Sequence, residues 1–176
     1  HNFHAGYAIM GAAIVAQYDS VWAANENWGG MVELLIKDGN NYDRNDTRFP
    51  FLRALDPYAG HSWESGHGDF GDGNNEESSS ESMNFATAVI LWGSITKQND
   101  IRDLGIYLYT TERSAIEQYW FDIDDEVFPA PYPYKALGMV WGAKGVHSTW
   151  FGADPDFIHG INMLPFNGGS LYLGRN

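Results

Sequence analysis

The sequence predicts an all-α domain of long helices joined by elaborate loops, and three observations carry that expectation. His4 to Tyr18 (HAGYAIMGAAIVAQY) is apolar almost all round and free of proline, which describes a buried helix. Asp100 to Trp120 (DIRDLGIYLYTTERSAIEQYW) places Leu104, Leu108, Ala115 and Tyr119 on one rough helical face. The stretches between such segments are rich in Gly, Pro and aromatic residues, and no internal repeat is present. At 176 residues the chain is long enough for one domain with a sizeable core.

Taken in order, the first helix is stopped by Asp19-Ser20. Trp28 to Lys37 (WGGMVELLIK) reads as a second helix, terminated by Asp38-Gly39-Asn40-Asn41. A polar, Gly-rich stretch follows from about Asn40 to Asn75, broken by the aromatic string PFLRALDPYAGHSW. Loops of that length inside a compact domain are usually functional or disordered, and the aromatics favour function. Ser78 to Lys97 opens with serines suited to an N-cap and continues as an apolar helix. After the Asp100 helix the pattern turns Pro-rich and aromatic. ALGMVWG suits a short strand, and TWFGADPDFIHGINMLPF suits a loop with one helical turn.

Composition narrows the function. The formal net charge of −13 argues against nucleic acid or an anionic membrane surface as partner, because phosphate binding depends on Lys and Arg. A neutral ligand is compatible with it. Aromatic residues make up 15% of the chain, including 7 Trp, beside 20 Gly and only 19% charged residues, a balance suited to a cleft that stacks flat ligands such as sugars. With no cysteine, neither a disulfide nor a thiolate zinc site can form, and the compartment stays open. No apolar run reaches the roughly 20 residues that span a bilayer. The chain opens on His1-Asn2-Phe3-His4 without Met or a signal sequence, and reads as an excised piece of something longer.

The stretch NNEESSSES, residues 74–82, sets three serines between Glu77 and Glu81. Were the segment helical, the two acids would share a face about 5–6 Å apart at Cβ. Acids in a first helical turn stabilise the dipole, and that alone explains many such pairs. An enclosed site would instead raise one pKa and make the pair useful. The preceding loop AGHSWESGHGDFGDGNN, rich in His, Trp, Asp and Gly, favours the second view. Glycosidases need two carboxyls across a sugar, about 6.5–9.5 Å apart in inverting enzymes. Neighbours on one helical face approach from the same side, so a third acid must come from elsewhere. His1 and His4 are compatible with a metal, but HxxH alone is a weak signal and polar lining of a pocket explains them better. In GHSW, Gly60 allows a tight turn, His61 accompanies it, and the Trp63 indole suits a stacking platform or a packed corner. Trp150 in STWFG carries the same ambiguity, with core packing favoured.

Together, HNFHAGYAI, RFPFLRALDPYAGHSW, DGNNEESSSESMN, MVWGAKGVHSTWFG and FIHGINMLPF resemble, in order and over essentially the whole chain, the catalytic core of family 81 glycoside hydrolases, the endo-β-1,3-glucanases. The resemblance implies part of an (α/α)6 barrel, specifically the middle of that barrel. The N-terminal β-sandwich and the remaining barrel lie outside residues 1–176, which form a single fragment. It implies Glu77 as catalytic base and Glu81 as a second essential glutamate, with the general acid an aspartate directly before the position of His1. His1, His4 and Tyr7 match the segment that lines the cleft, and Asp56, Tyr58, His61 and Trp63 match its D-x-Y-x-G-H-S-W stretch, with Trp150 a further candidate contact. Glu76 departs from the pattern, which usually has Gln there, and an extra carboxylate beside the base would raise its pKa or point to solvent.

The activity implied is endo-acting hydrolysis of β-1,3-glucan with inversion, by a secreted or cell-wall-associated enzyme without metal or cofactor. Its partners would be the glucan and the rest of the parent catalytic domain, not nucleic acid or membrane. Trp63 and Tyr58 would offer faces to glucose rings. Two rivals belong to other classes. One is a non-catalytic β-glucan-binding fragment lacking the acid, and the other is a metalloprotein in which His1, His4, Glu77 and Glu81 converge on an ion.

Overall fold

The computed structural model describes residues 2–64 and 68–175. Helices take up about half of the chain: α1 (Asn2–Ala16), α2 (Gly30–Gly39), α3 (Ser79–Ile95), α4 (Asn99–Tyr119) and α5 (Pro155–Met163). A π-helical turn, Asn25–Gly29, leads into α2, so that helix begins two residues later than the sequence suggests and Trp28 is left exposed. A 3-10 helix, Gly168–Arg175, follows α5. No described helix is long and apolar enough to cross a membrane.

The helix α3 is central, packed between α1 and α4. This explains its sequence, since a helix with neighbours on opposite sides must be apolar on both. Two glycines set the spacing. A Cβ on Gly6 of α1 would stand 2.9 Å from the Phe85 Cα, and one on Gly105 of α4 would stand 2.6 Å from the Ile90 nitrogen. The main core gathers Ile9, Ile36, Phe85, Val89, Trp92, Ile101 and Leu108 from α1 to α4. A second cluster, Met83, Ile116, Trp120, Leu137 and Tyr172, ties α3 and α4 to the C-terminal third. Each large side chain so buried contributes roughly 1.5–3 kcal/mol. The face expected on α4 buries Leu104, Leu108 and Ala115, whereas Tyr119 stays 38% exposed at the rim of a cavity.

An all-α reading leaves out two small sheets. In the first, β1 (Leu55–Asp56) pairs antiparallel with β2 (His61–Ser62), Asp56 opposite His61. The hairpin closes because Gly60 takes φ +78° and donates its N–H to the Asp56 carbonyl at 2.8 Å. The second sheet runs β3 (Asn75–Glu76), β4 (Met139–Trp141), β5 (Gly145–Val146), all antiparallel, with Asn75 opposite Trp141 and Glu76 opposite Val140. Strand β4 is the one expected in ALGMVWG. The helix α5 is longer than the single turn anticipated, with Asp154 at its N-cap and Pro155 in its first turn.

The long Asn40–Asn75 stretch is ordered where described, and asparagines order it. Asn40 Oδ1 accepts the Leu55 N–H at 3.1 Å, and Asn41 Nδ2 donates to the carbonyls of Asp43 and Phe49 at 2.9 and 2.8 Å. These side chains supply the partners that a non-repetitive backbone cannot supply itself.

Candidate active site

Strand β3 delivers Glu76 to the interior, where it is 1% exposed. Side chains alternate along a strand, so Glu77, just past its end, emerges on the other side and is half-buried. Ser78 is the N-cap of α3, its Oγ accepting the Glu81 N–H at 3.2 Å, and Glu81 lies in the first turn. The expected shared helical face is therefore not formed. Glu77 stands outside the helix because the cap falls on Ser78.

The intervening serines also have partners of their own. Ser78 Oγ and Ser80 Oγ donate to the Ile161 carbonyl at 2.9 and 3.0 Å, and Ser79 Oγ donates to Asn162 Oδ1 at 2.7 Å. The last carbonyls of a helix have no partner within it, and here the serine triplet serves those of α5. One short segment thus presents two carboxylates to one side and docks a second helix on the other.

The surroundings of Glu77 act on its charge. Burial raises the pKa of Glu77, the Glu64 charge adds to it, hydrogen bonding to Trp150 opposes it, and Glu81 and His4 exert smaller effects of opposite sign. On α1, three residues from His4, the Tyr7 hydroxyl interacts with Glu81. Its pKa is pushed up to about 12, first by burial and then by the Glu81 charge and hydrogen bonding to Glu81. His4 and Tyr7 are both exposed, facing the glutamates from α1.

A cavity of about 560 Å³ is lined by His61, Trp63, Tyr119, Tyr132, Trp141 and Lys144, among others. Trp150, 54% exposed and acting on Glu77, meets the lining residue Trp141 edge to face at 5.7 Å and Phe70 at 6.0 Å. Trp63 is held in place by its indole N–H, which donates to Asp56 Oδ2 at 3.0 Å. The other Asp56 oxygen accepts the Tyr58 and Ala59 N–H groups at 2.9 and 3.2 Å. The Trp63 bond, ahead of these backbone bonds, holds the Asp56 pKa below its ordinary value. Asp56 accordingly shapes the hairpin and aims Trp63. Tyr58, at 99% exposed, projects from the hairpin tip. His61 is 2% exposed, packed edge-on against Trp63 and Trp120, and its Nδ1 faces the Ser62 carbonyl at 2.8 Å. Burial lowers its pKa, which keeps the ring neutral.

His1 lies outside the described residues. Among those described, no group of three or more His, Asp or Glu side chains is arranged to hold a metal ion. Glu76, expected at the solvent or pressing on the base, instead faces Ser62 inside the fold, its Oε2 3.3 Å from Ser62 Oγ. The structure adds Trp141, Phe70, Glu64 and Glu112, none of them singled out from sequence. Trp141 was within reach as the aromatic of MVWG, in a chain whose Trp content already suggested stacking.

The model of the family described as glycosyl hydrolase family 81 C-terminal domain matches residues 1–176. Over all of this chain, glucan endo-1,3-beta-D-glucosidases of Acetivibrio thermocellus and Thermobifida fusca are 56% and 50% identical, with 23% of each relative covered. The primary septum glucan endo-1,3-beta-D-glucosidase of Schizosaccharomyces pombe is 35% identical over 98% of the chain and 17% of its own length. A solved structure, a mutant form of the glycoside hydrolase family 81 protein from Clostridium thermocellum (CtLam81A), superposes with a TM-score of 0.97 at 55% identity, covering 100% of this chain and 24% of that one. The chain spans about a quarter of the length of these bacterial relatives.

Proposed function

Since the chain belongs to the glycosyl hydrolase family 81 C-terminal domain, we propose that it is one part of an endo-acting β-1,3-glucanase that cuts laminarin-type glucan with inversion. The observation that carries this reading is the placement of Glu77, half-buried with its pKa raised, next to Trp150, whose ring packs on Trp141 of an aromatic-lined cavity. Aromatic faces suit pyranose rings, and a carboxylate whose pKa is lifted toward the working pH suits proton abstraction from water.

In this reading ionised Glu77 takes a proton from water as the oxygen attacks the anomeric carbon. An aspartic acid directly before the position of His1 protonates the departing oxygen. Glu81, held by Tyr7, orients the same water or Glu77 itself. Trp63, Trp150 and Tyr58 offer ring faces to glucose, His4 and Tyr7 line the cleft with His1, and Asp56 and His61 support Trp63 from beneath. No step calls for a metal. The chain would form the middle of an (α/α)6 barrel whose remainder completes the cleft, in an enzyme secreted or held at a cell wall. The test is to digest laminarin with the full-length parent and follow the new anomer by proton NMR. Initial release of α-anomer is expected. Initial β-anomer, or cleavage of another polymer with none of β-1,3-glucan, would overturn the proposal.

A further inference from the structure

Behind the proposed base, four side chains from four elements form one hydrogen-bonded chain. Ser62 Oγ of β2 lies 3.3 Å from Glu76 Oε2 of β3 and 3.1 Å from Ser82 Oγ of α3. Ser82 Oγ in turn donates to Glu112 Oε2 of α4, and Glu112 Oε1 accepts the Ser62 N–H. Asn2 Nδ2 of α1 donates to Ser62 Oγ at 3.0 Å. All of these residues are at most 3% exposed.

Counting hydrogens limits how this chain can be charged. A serine has one hydroxyl hydrogen. If both carboxyls were ionised, Ser82 would give its hydrogen to Glu112 and Ser62 would give its own to Glu76. The two serine oxygens would then face each other at 3.1 Å with no hydrogen between them. One added proton removes the conflict, with Glu76 donating to Ser62, Ser62 to Ser82 and Ser82 to the Glu112 carboxylate. The mirror arrangement is also complete, but the charge belongs on Glu112. That group receives both a hydroxyl and a backbone N–H, whereas Glu76 Oε1 is buried without a partner.

We propose that Glu76 and Glu112 share a single proton through Ser62 and Ser82, with Glu76 the neutral acid and Glu112 the carboxylate, and that the pair is a positioning device for Glu77. The groups acting on Glu76 agree: burial first, then the negative charges of Glu112, Glu64 and Glu77, lift its pKa well above the usual carboxylate range, with only the Ser62 bond opposing. Because Glu76 and Glu77 are consecutive, fixing Glu76 inward fixes where Glu77 emerges. Because Ser82 follows Glu81, the same chain fixes the first turn of α3. A charged Glu76 would break the chain and add a negative charge beside the base.

The positioning role rests on the proposed role of Glu77, but its spectroscopic test does not. Difference infrared spectroscopy of the full-length parent at pH 7 should show a protonated-carboxyl C=O band that Glu76→Gln removes. In Glu112→Gln that band should titrate at lower pH, since the main charge opposing ionisation is gone. On laminarin, Glu76→Ala should lower kcat about tenfold or more with KM little changed, and Glu76→Gln should restore most of that loss. No Glu76-dependent band at pH 7, a midpoint unmoved by Glu112→Gln, or a Gln variant as impaired as the Ala variant would each overturn the proposal. Should Glu76→Ala fail to fold, the infrared arms still decide it. Full activity in Glu77→Gln with the band intact would sink the catalytic reading while leaving the shared proton standing.

Discussion

The rings of Trp141 and Trp150 meet edge to face at 5.7 Å and 74°, which ties a wall of the aromatic cavity to the residue that acts on the Glu77 carboxylate. Trp141 is fixed by β4, which pairs with β3 immediately before Glu77, so the platform and the acid are carried by one three-stranded sheet. A ring stacked on Trp141 would therefore be registered against the carboxylate by backbone hydrogen bonds rather than by a free loop.

If Glu77 is the base, Glu77→Gln in the full-length parent keeps the shape and removes the proton acceptor. Turnover on laminarin should fall by about 10²–10⁴, with KM little changed. Near-normal kcat in a correctly folded variant would withdraw the assignment.

The pH dependence has a sign that can be checked. A base acts when ionised, so the raised pKa of Glu77 moves the acidic limb of kcat/KM to higher pH than an ordinary carboxylate would give. Trp150→Phe removes the hydrogen bond that lowers this pKa, and the limb should move further up. Glu64→Gln removes a negative charge that raises it, and the limb should move down. Shifts in the same direction, or none, would show that another group sets the limb.

The helix spacing gives a stability prediction. At Gly105 an added Cβ would stand 2.6 Å from the Ile90 nitrogen, 2.8 Å from the Ile90 Cγ1 and 3.1 Å from the Ala86 carbonyl oxygen, and because the closest of these is backbone, α4 must move away from α3. Gly105→Ala should cost about 1–3 kcal/mol as overpacking, despite the better helix propensity of Ala. Gly11, with nothing within 4 Å of an added Cβ, is the control, and Gly11→Ala should not lower Tm. Equal Tm values for the two variants would contradict the spacing argument.

How much of this was legible beforehand depended on the range of the deciding interaction. The helices α1, α3 and α4 are written in long local patterns, and the sequence shows them to within a few residues. The N-cap of α3 is not so written. Ser78, Ser79 and Ser80 are each competent caps, and the choice is made by Ile161 and Asn162, some 80 residues away. That choice puts Glu77 outside the helix. Glu112 sits in TTERSAIEQ, where no local pattern marks it for burial, and its burial is intelligible only with Ser62 and Ser82 beside it. Strands of two residues, such as β1 and β3, are too short for alternation to show. The helix α5, expected as a single turn, runs from Pro155 to Met163 with Asp154 at its N-cap, and its C-terminal end is held by the distant serine triplet.

Asn162 offers a last test, of whether the serine triplet is a docking element as well as a spacer between two acids. Its Nδ2 donates to the carbonyls of Leu137 and Ile158 at 2.9 and 3.0 Å, and its Oδ1 accepts from Ser79 Oγ at 2.7 Å. Asn162→Ala leaves a buried serine hydroxyl and the Leu137 carbonyl without these partners. The cost should be about 1–3 kcal/mol for each buried group left unpaired. Ser79→Ala removes one donor but leaves Asn162 with its two carbonyls, so it should cost less. In the double variant the hydroxyl that Asn162→Ala stranded is gone, and the combined loss should fall short of the sum by about 0.5–3 kcal/mol. Urea unfolding of the four proteins measures this directly. Strict additivity would mean that Ser79 and Asn162 act independently, and that the serines hold α5 through the Ile161 and Leu164 carbonyls alone.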